Sequence, residues 1–146
     1  MKIKKILVLL DGSKNSLRGL DLAITLAQPL NAAITGLFCN QFKSFLEINE
    51  IKPLDKAIFD SVNRKKHTEI QQIMESASQK VEKKVPFESK IIDGKIGPSI
   101  IKFAVKNNFD LIVIGSRGMG ATKEILLGSV SNYIIHTSQI PTVIVK

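Results

Sequence analysis

The sequence predicts an α/β fold: one domain built on an open, mainly parallel sheet covered on both faces. Three observations carry that expectation. Apolar runs of strand length alternate with stretches of helical periodicity from one end of the 146 residues to the other, the order of βαβ units. Two of the runs, Ile6-Leu-Val-Leu-Leu10 and Leu111-Ile-Val-Ile114, are apolar throughout, as strands covered on both faces are. A chain of this length buries roughly two thirds of its unfolded surface. With 44% apolar residues it closes a single core without metals or disulfides as staples.

The first strand is read over residues 6–10, central in the sheet. Leu17, Leu20, Ile24 and Ala27 then recur at helical spacing between Lys14 and Leu30, and Asn31 supplies a stop. Residues 32–39 read as the second strand. Residues 40–62 are the least regular part, with Phe42, Phe45, Leu46, Ile48, Ile51, Leu54, Ile58 and Phe59 interrupted by Pro53 and charges. They are too apolar for a disordered linker and too long for a structureless loop, so a partly helical excursion is expected, packed over one sheet edge or engaged in self-association.

Ile70, Ile73, Met74, Ala77 and Val81 form the stripe of an amphipathic helix that ends ahead of Pro86, and residues 87–92 read as the third strand. Gly94 and Gly97 bracket a turn, and Pro98 suits a first helical position. Ile100, Ile101, Ala104 and Val105 mark the next helix, which Asn107 and Asn108 end. After the fourth strand at 111–114, Val130, Tyr133, Ile134 and Thr137 give the apolar side of a last helix. Residues 142–145 make the fifth strand, with Pro141 tolerated at its start.

Lys plus Arg number 21 against 13 Asp plus Glu, a formal charge of +8 that attracts polyanions at long range. The cations are scattered: Lys2, Lys4 and Lys5, then Arg64, Lys65 and Lys66, then Lys80, Lys83 and Lys84. No aromatic side chains interleave with them, so a solvated basic surface is expected rather than a nucleic-acid site. Cys39 stands alone and can build neither an internal disulfide nor a Cys-based zinc site. The opening imitates a signal peptide, but Asp11 stops the apolar run and no small-residue cleavage site follows. No stretch reaches the roughly 18 apolar residues that suggest a membrane span. The expectation is a cytoplasmic protein without membrane contact.

In open α/β sheets, ligands bind beyond the carboxyl ends of the strands. Two of those ends carry polar or glycine-rich turns: Leu10-Asp11-Gly12-Ser13 after the first strand and Gly115-Ser116-Arg117-Gly118-Met119-Gly120 after the fourth. Gly128-Ser129 follows directly ahead of the last helix. Glycines let main-chain N–H groups approach phosphate oxygens, a helix start aims unpaired donors and its positive dipole end at the same anion, and serine hydroxyls add donors. A phosphate cradle and a plain strand-to-helix turn both fit each glycine taken alone; the set together points to the cradle. Asp11 has two readings, as a ligand group and as the N-cap of the first helix. Arg117 and Lys123 lie inside the motif, either as phosphate-neutralising cations or as solvent-facing loop charges.

The pattern Gly115-x2-Gly118-x9-Gly128-Ser129, with Asp11 after the first strand, resembles the nucleotide-binding type of universal stress protein. The resemblance spans residues 1–146 and includes Lys5-Ile-Leu-Val-Leu-Leu-Asp-Gly-Ser13, Asp110-Leu-Ile-Val-Ile-Gly-Ser-Arg-Gly118, Ile125-Leu-Leu-Gly-Ser-Val130 and Pro141-Thr-Val-Ile-Val145. It implies a five-stranded parallel sheet of order 3-2-1-4-5 with helices on both faces, a Rossmann-like architecture like that of the adenine nucleotide alpha-hydrolases. It also implies a homodimer through the last strand at 142–146 and a stress-response regulator governed by ATP or a related adenine nucleotide. Carried over by position, Asp11 and the main chain of Leu9 and Leu10 hold the adenine and ribose side, with Phe38 and Ile114 as apolar walls. Gly115, Gly118, Gly128, Ser129, Val130 and Ser131 line the phosphate and ribose side, with Arg117 among them. Phe38 stands where family members often carry a smaller aliphatic residue, a departure that would reshape the adenine pocket. Magnesium would arrive with the nucleotide, since no dedicated ligand cluster is visible.

Catalytic machinery is harder to find. His67 and His136 lack zinc spacing and an obvious serine partner, and neither a Gly-x4-Gly-Lys-Ser/Thr loop nor a Gly-x-Ser-x-Gly elbow occurs. Cys39 ends the second strand as a small hydrophobe. No residue is assigned as catalytic. Two other readings stay open: a slow metal-dependent ATP hydrolase assisted by Asp11 or a metal-bound water, and a stress protein that binds no nucleotide and acts through contacts with a protein partner.

Overall fold

Residues 2–41, 56–119 and 127–146 are described by the computed structural model. Along the chain run β1 (Lys5–Leu9), α1 (Lys14–Leu30), β2 (Ala33–Asn40), α2 (Lys56–Val81) and β3 (Phe87–Asp93), followed by α3 (Ile96–Lys106), β4 (Leu111–Gly115), α4 (Ser129–Thr137) and β5 (Thr142–Val145). Every paired strand is parallel, and the order across the five-stranded sheet is β3-β2-β1-β4-β5, as the resemblance implies.

Side chains alternate across a strand, so the apolar run at 6–10 must divide between two layers. Ile6, Val8 and Leu10 enter a core with Leu20 and Ile24 of α1 and Ile70 and Met74 of α2. Leu7 and Leu9 enter a second core with Ile100 of α3 and Ile134 of α4. β4 divides the same way, Leu111 and Val113 to the first core, Ile112 and Ile114 to the second. Ile6, Leu7, Val8, Ile112 and Val113 are fully buried, which explains why the runs 6–10 and 111–114 carry no polar position.

Three local readings of the sequence are corrected. The N-cap of α1 is Ser13, whose hydroxyl accepts from the Ser16 N–H at 3.1 Å, so Asp11 does not fill that role. α3 starts at Ile96, which makes Pro98 its third residue; a proline is still accommodated there because the first-turn N–H groups have no intrahelical partner. The helix of Ile70 to Val81 begins as far back as Lys56, so residues 56–62 of the irregular stretch are its first turns. At its start Asn40 closes β2 instead, and residues 42–55 of the excursion lie outside the described residues. At the other end of α1, Asn31 terminates the helix in the left-handed conformation (φ 48°) with its N–H on Ala27 and Gln28 carbonyls.

The amino end of the sheet is fastened by Asp110, whose Oδ2 accepts the main-chain N–H groups of Lys4 at 2.8 Å and Lys5 at 2.9 Å. Lys4 Nζ donates to the Leu30 carbonyl at 2.8 Å and Lys5 Nζ to the Asn107 carbonyl at 2.7 Å. Each cation thereby sits at the negative end of a helix dipole, at the last residues of α1 and just past α3. Two of the scattered lysines have structural roles. Among the described residues no helix is long and apolar enough to cross a membrane.

Candidate functional site

The chain leaves β1 for a helix on one face of the sheet and leaves β4 for a helix on the other. Because β1 and β4 are neighbours, their connections diverge and open a crevice at the carboxyl edge. A cavity of about 390 Å³ lies there, within the ordinary range for small-molecule sites. Leu9, Leu10, Asp11, Phe38, Ile114, Gly115, Arg117, Gly118, Gly128, Ser129, Val130 and Ser131 all border it. Residues taken from the ends of β1, β2 and β4 and from the start of α4 thus meet in one place. Lys123 lies outside the described residues.

The Asp11-Gly12-Ser13 turn depends on Gly12 at φ +84°, a conformation L side chains rarely adopt. It lets the Ser13 N–H donate to Asp11 Oδ1 at 2.9 Å, an Asx turn that fixes the carboxylate at the cavity border. The opposite oxygen leans on Gly118: a Cβ there would lie 2.7 Å from Asp11 Oδ2. Gly115 is required by backbone, since its Cβ would meet the carbonyl carbon and Cβ of Asn15 at 2.9 Å and the Ser16 nitrogen at 3.0 Å. The glycines of the motif therefore bring the β4 loop against the start of α1.

Gly128 is the N-cap of α4 and makes no side-chain cap bond, so the first-turn N–H groups of Ser129, Val130 and Ser131 are not taken by a cap. Its own N–H donates to the Ser116 carbonyl at 2.7 Å. Ser131 is buried, and its hydroxyl proton is shared between the Ser116 and Gly128 carbonyls, each at 2.9 Å. What Ser131 offers the cavity is therefore an oxygen lone pair and its N–H rather than a free hydroxyl donor.

The apolar lining joins Leu9, Leu10, Phe38 and Ile114 with Leu37, Cys39, Ile96 and Ile100. A cavity of this size remains beside Phe38, whose ring also packs on the first core. Burial pushes the Cys39 thiol up to about 11, with the Asp93 carboxylate adding to the effect. The thiol stays protonated, its Sγ 3.9 Å from the Gly94 carbonyl. Among the described residues, no three His, Cys, Asp or Glu side chains gather to hold a metal ion. His67 is exposed on α2, and His136 Nδ1 pairs with the Asn132 carbonyl at 2.8 Å.

A family model described as the universal stress protein family matches residues 2–146. The chain belongs to the universal stress protein family. It is 32% identical over 145 residues to universal stress protein YxiE of Bacillus subtilis, covering 97% of this chain and 98% of that one. The solved structure of the hypothetical protein MJ0577, a universal stress protein of Methanocaldococcus jannaschii, superposes with a TM-score of 0.83 at 25% identity, covering 100% of this chain and 97% of that chain. A universal stress protein family protein from Arabidopsis thaliana, solved with AMP bound, shares the fold with a TM-score of 0.70 at 16% identity over 98% of this chain and 91% of that one.

Sequence reasoning about this universal stress protein missed Ser13, Ser16, Leu37, Ile96 and Ile100, all of which border the cavity. Ser13 and Ser16 were within reach, being two and five positions after Asp11. Ile96 and Ile100 carried a signal too: α3 starts just past the carboxyl end of β3, so its first turns face the same edge.

Proposed function

We propose that this universal stress protein binds ATP or a related adenine nucleotide in the crevice between β1 and β4 and acts as a nucleotide-dependent regulator of the stress response. The observation that carries this reading is the meeting of Asp11 with Gly115, Gly118 and the Gly128–Ser131 helix start around one cavity. The apolar residues Leu9, Leu10, Phe38 and Ile114 suit a base. Asp11 suits sugar hydroxyls, because a carboxylate accepts from them and repels phosphate. The N–H groups at the start of α4 and Arg117 suit phosphate oxygens. Magnesium enters with the nucleotide rather than through a protein ligand set. AMP bound in the Arabidopsis relative agrees with the class of ligand.

In the same reading the regulator is cytoplasmic, occupies residues 1–146 as one domain, and forms a homodimer through the edge strand at 142–146. Strand β5 pairs only with β4 among the described strands, and an apolar edge strand favours pairing with another chain. Regulation requires that nucleotide prefer one conformation or assembly over another.

Native mass spectrometry of freshly purified protein, with denaturing extraction of any bound molecule, tests both parts at once. One adenine nucleotide per subunit on a dimer is the expected result. A protein that arrives empty and ignores added ATP and AMP refutes the reading and leaves protein contacts as the function. Release of phosphate that needs magnesium and vanishes in Gly118→Val would instead make the protein a slow hydrolase.

A further inference from the structure

Ser116 stands inside the glycine loop, yet neither it nor Asn15 borders the cavity. It is 1% exposed, and three elements besides the strand it follows bond to it. Its N–H donates to the carbonyl of Val145, the last residue of β5, at 2.7 Å. Its carbonyl accepts from the Gly128 N–H at 2.7 Å and from the Ser131 hydroxyl at 2.9 Å, both at the start of α4. Its hydroxyl accepts from Asn15 Nδ2 at 3.1 Å, in the first turn of α1.

A carbonyl that takes two donors from one helix start fixes where that start lies. The same residue is held from the α1 side by a single amide, next to the point where Gly115 lies against the Asn15 backbone. The Asp11 turn leads into α1, so the Asn15–Ser116 bond, together with the close approaches of Gly115 to Asn15 and Gly118 to Asp11, holds the acidic side of the cavity at its distance from the N–H groups of Ser129 to Ser131. We infer that Ser116, anchored by Asn15, is a positioning residue for phosphate recognition: it aims the α4 donors without touching the ligand. This inference rests on the nucleotide reading above and deepens it, because it separates the phosphate subsite from the part that holds base and sugar.

The test measures ATP and adenosine affinities of wild type, Asn15→Ala, Ser116→Ala and the double variant by calorimetry. Each single change removes one hydrogen bond and leaves every main-chain bond of Ser116 in place. The expected result is an ATP Kd raised about tenfold in each single variant, the size of one hydrogen bond's net worth. Adenosine affinity should hold within about twofold, and the double variant should be no weaker than either single one, because both remove the same bond. Equal weakening of ATP and adenosine would mean a merely structural role and overturn the inference, as would unchanged ATP binding or fully additive losses. Asn15 is partly exposed, so Asn15→Ala carries the test should the buried Ser116→Ala variant fail to fold. Wild-type protein that binds neither ATP nor AMP removes the nucleotide reading itself; wild-type binding with unaffected variants removes this inference alone.

Discussion

Asp11 and Gly118 are shaped to each other: the carboxylate of the one occupies the space where a side chain on the other would begin, with Oδ2 2.7 Å from the Cβ position. The two residues are 107 positions apart, on loops that follow neighbouring strands of the sheet. The glycine spacing of the motif is thus tied to an acidic group that the motif itself does not contain.

Gly118→Ala should therefore push the Asp11 carboxylate off its Ser13 N–H bond. The clash is with the end of one side chain rather than with backbone, so the fold should survive with a melting temperature close to that of wild type. ATP affinity should fall by about tenfold or more, the loss of one charge-assisted hydrogen bond in the site. Calorimetry beside a thermal melt separates the two effects, and unchanged affinity would remove Asp11 from the site.

Gly115→Ala should behave differently. Its Cβ would press on the Asn15 backbone, which cannot rotate away, and overpacking of this kind costs about 1–3 kcal/mol. Gly128→Ala meets nothing nearer than the Ser116 oxygen at 3.4 Å and should melt closer to wild type. Equal melting temperatures for the two variants would contradict the close approach of the β4 loop to α1.

Cys39 should be slow to alkylate. The thiolate is the reactive form, and the folded thiol titrates at about 11 instead of the ordinary 9.0. Iodoacetamide near pH 8 should label the denatured chain much faster than the folded one. The linked stability has a definite sign: between the two values the unfolded chain has released a proton that the folded chain keeps. The stabilisation from this thiol is full below about pH 9 and is lost as pH rises through about 11. Labelling of the folded protein at the free-thiol rate would show that the site does not bury Cys39.

Asp110→Ala should lower stability by about 1 kcal/mol, since it leaves the Lys4 and Lys5 N–H groups to water. ATP affinity should not move, because Asp110 precedes β4 at the edge opposite the cavity. A matched loss of affinity, read in the same titration, would mean that the two ends of the sheet are coupled.

The layout was legible because burial on both faces leaves an unmistakable mark: residues 6–10 and 111–114 have no polar position to hide. Asp11 and the glycines could be named because loops at strand ends carry chemistry while their neighbours carry packing, whereas Phe38, inside β2, came only from the family resemblance. The cap reading of Asp11 stayed open in the sequence because Asp11 and Ser13 are both good N-caps two positions apart, and the bond from the Ser16 N–H to the Ser13 hydroxyl decides between them. The early start of α2 was hidden because its first turns, from Lys56 to Glu69, bury little and so impose no strict apolar stripe. Ser116 was passed over for the opposite reason: its importance lies in main-chain bonds to Gly128 and Val145, which no side-chain pattern records.

The most direct test of the central claim is a titration of ATP, with magnesium, into isotopically labelled protein while the amide resonances are followed. The account expects shifts concentrated at Asp11, Ser13, Gly115 to Gly118 and Gly128 to Ser131, with Lys4, Lys5 and Asp110 unmoved at the opposite edge. Shifts centred instead on the basic residues Arg64 to Lys66 of α2, or none at millimolar ATP, would contradict it.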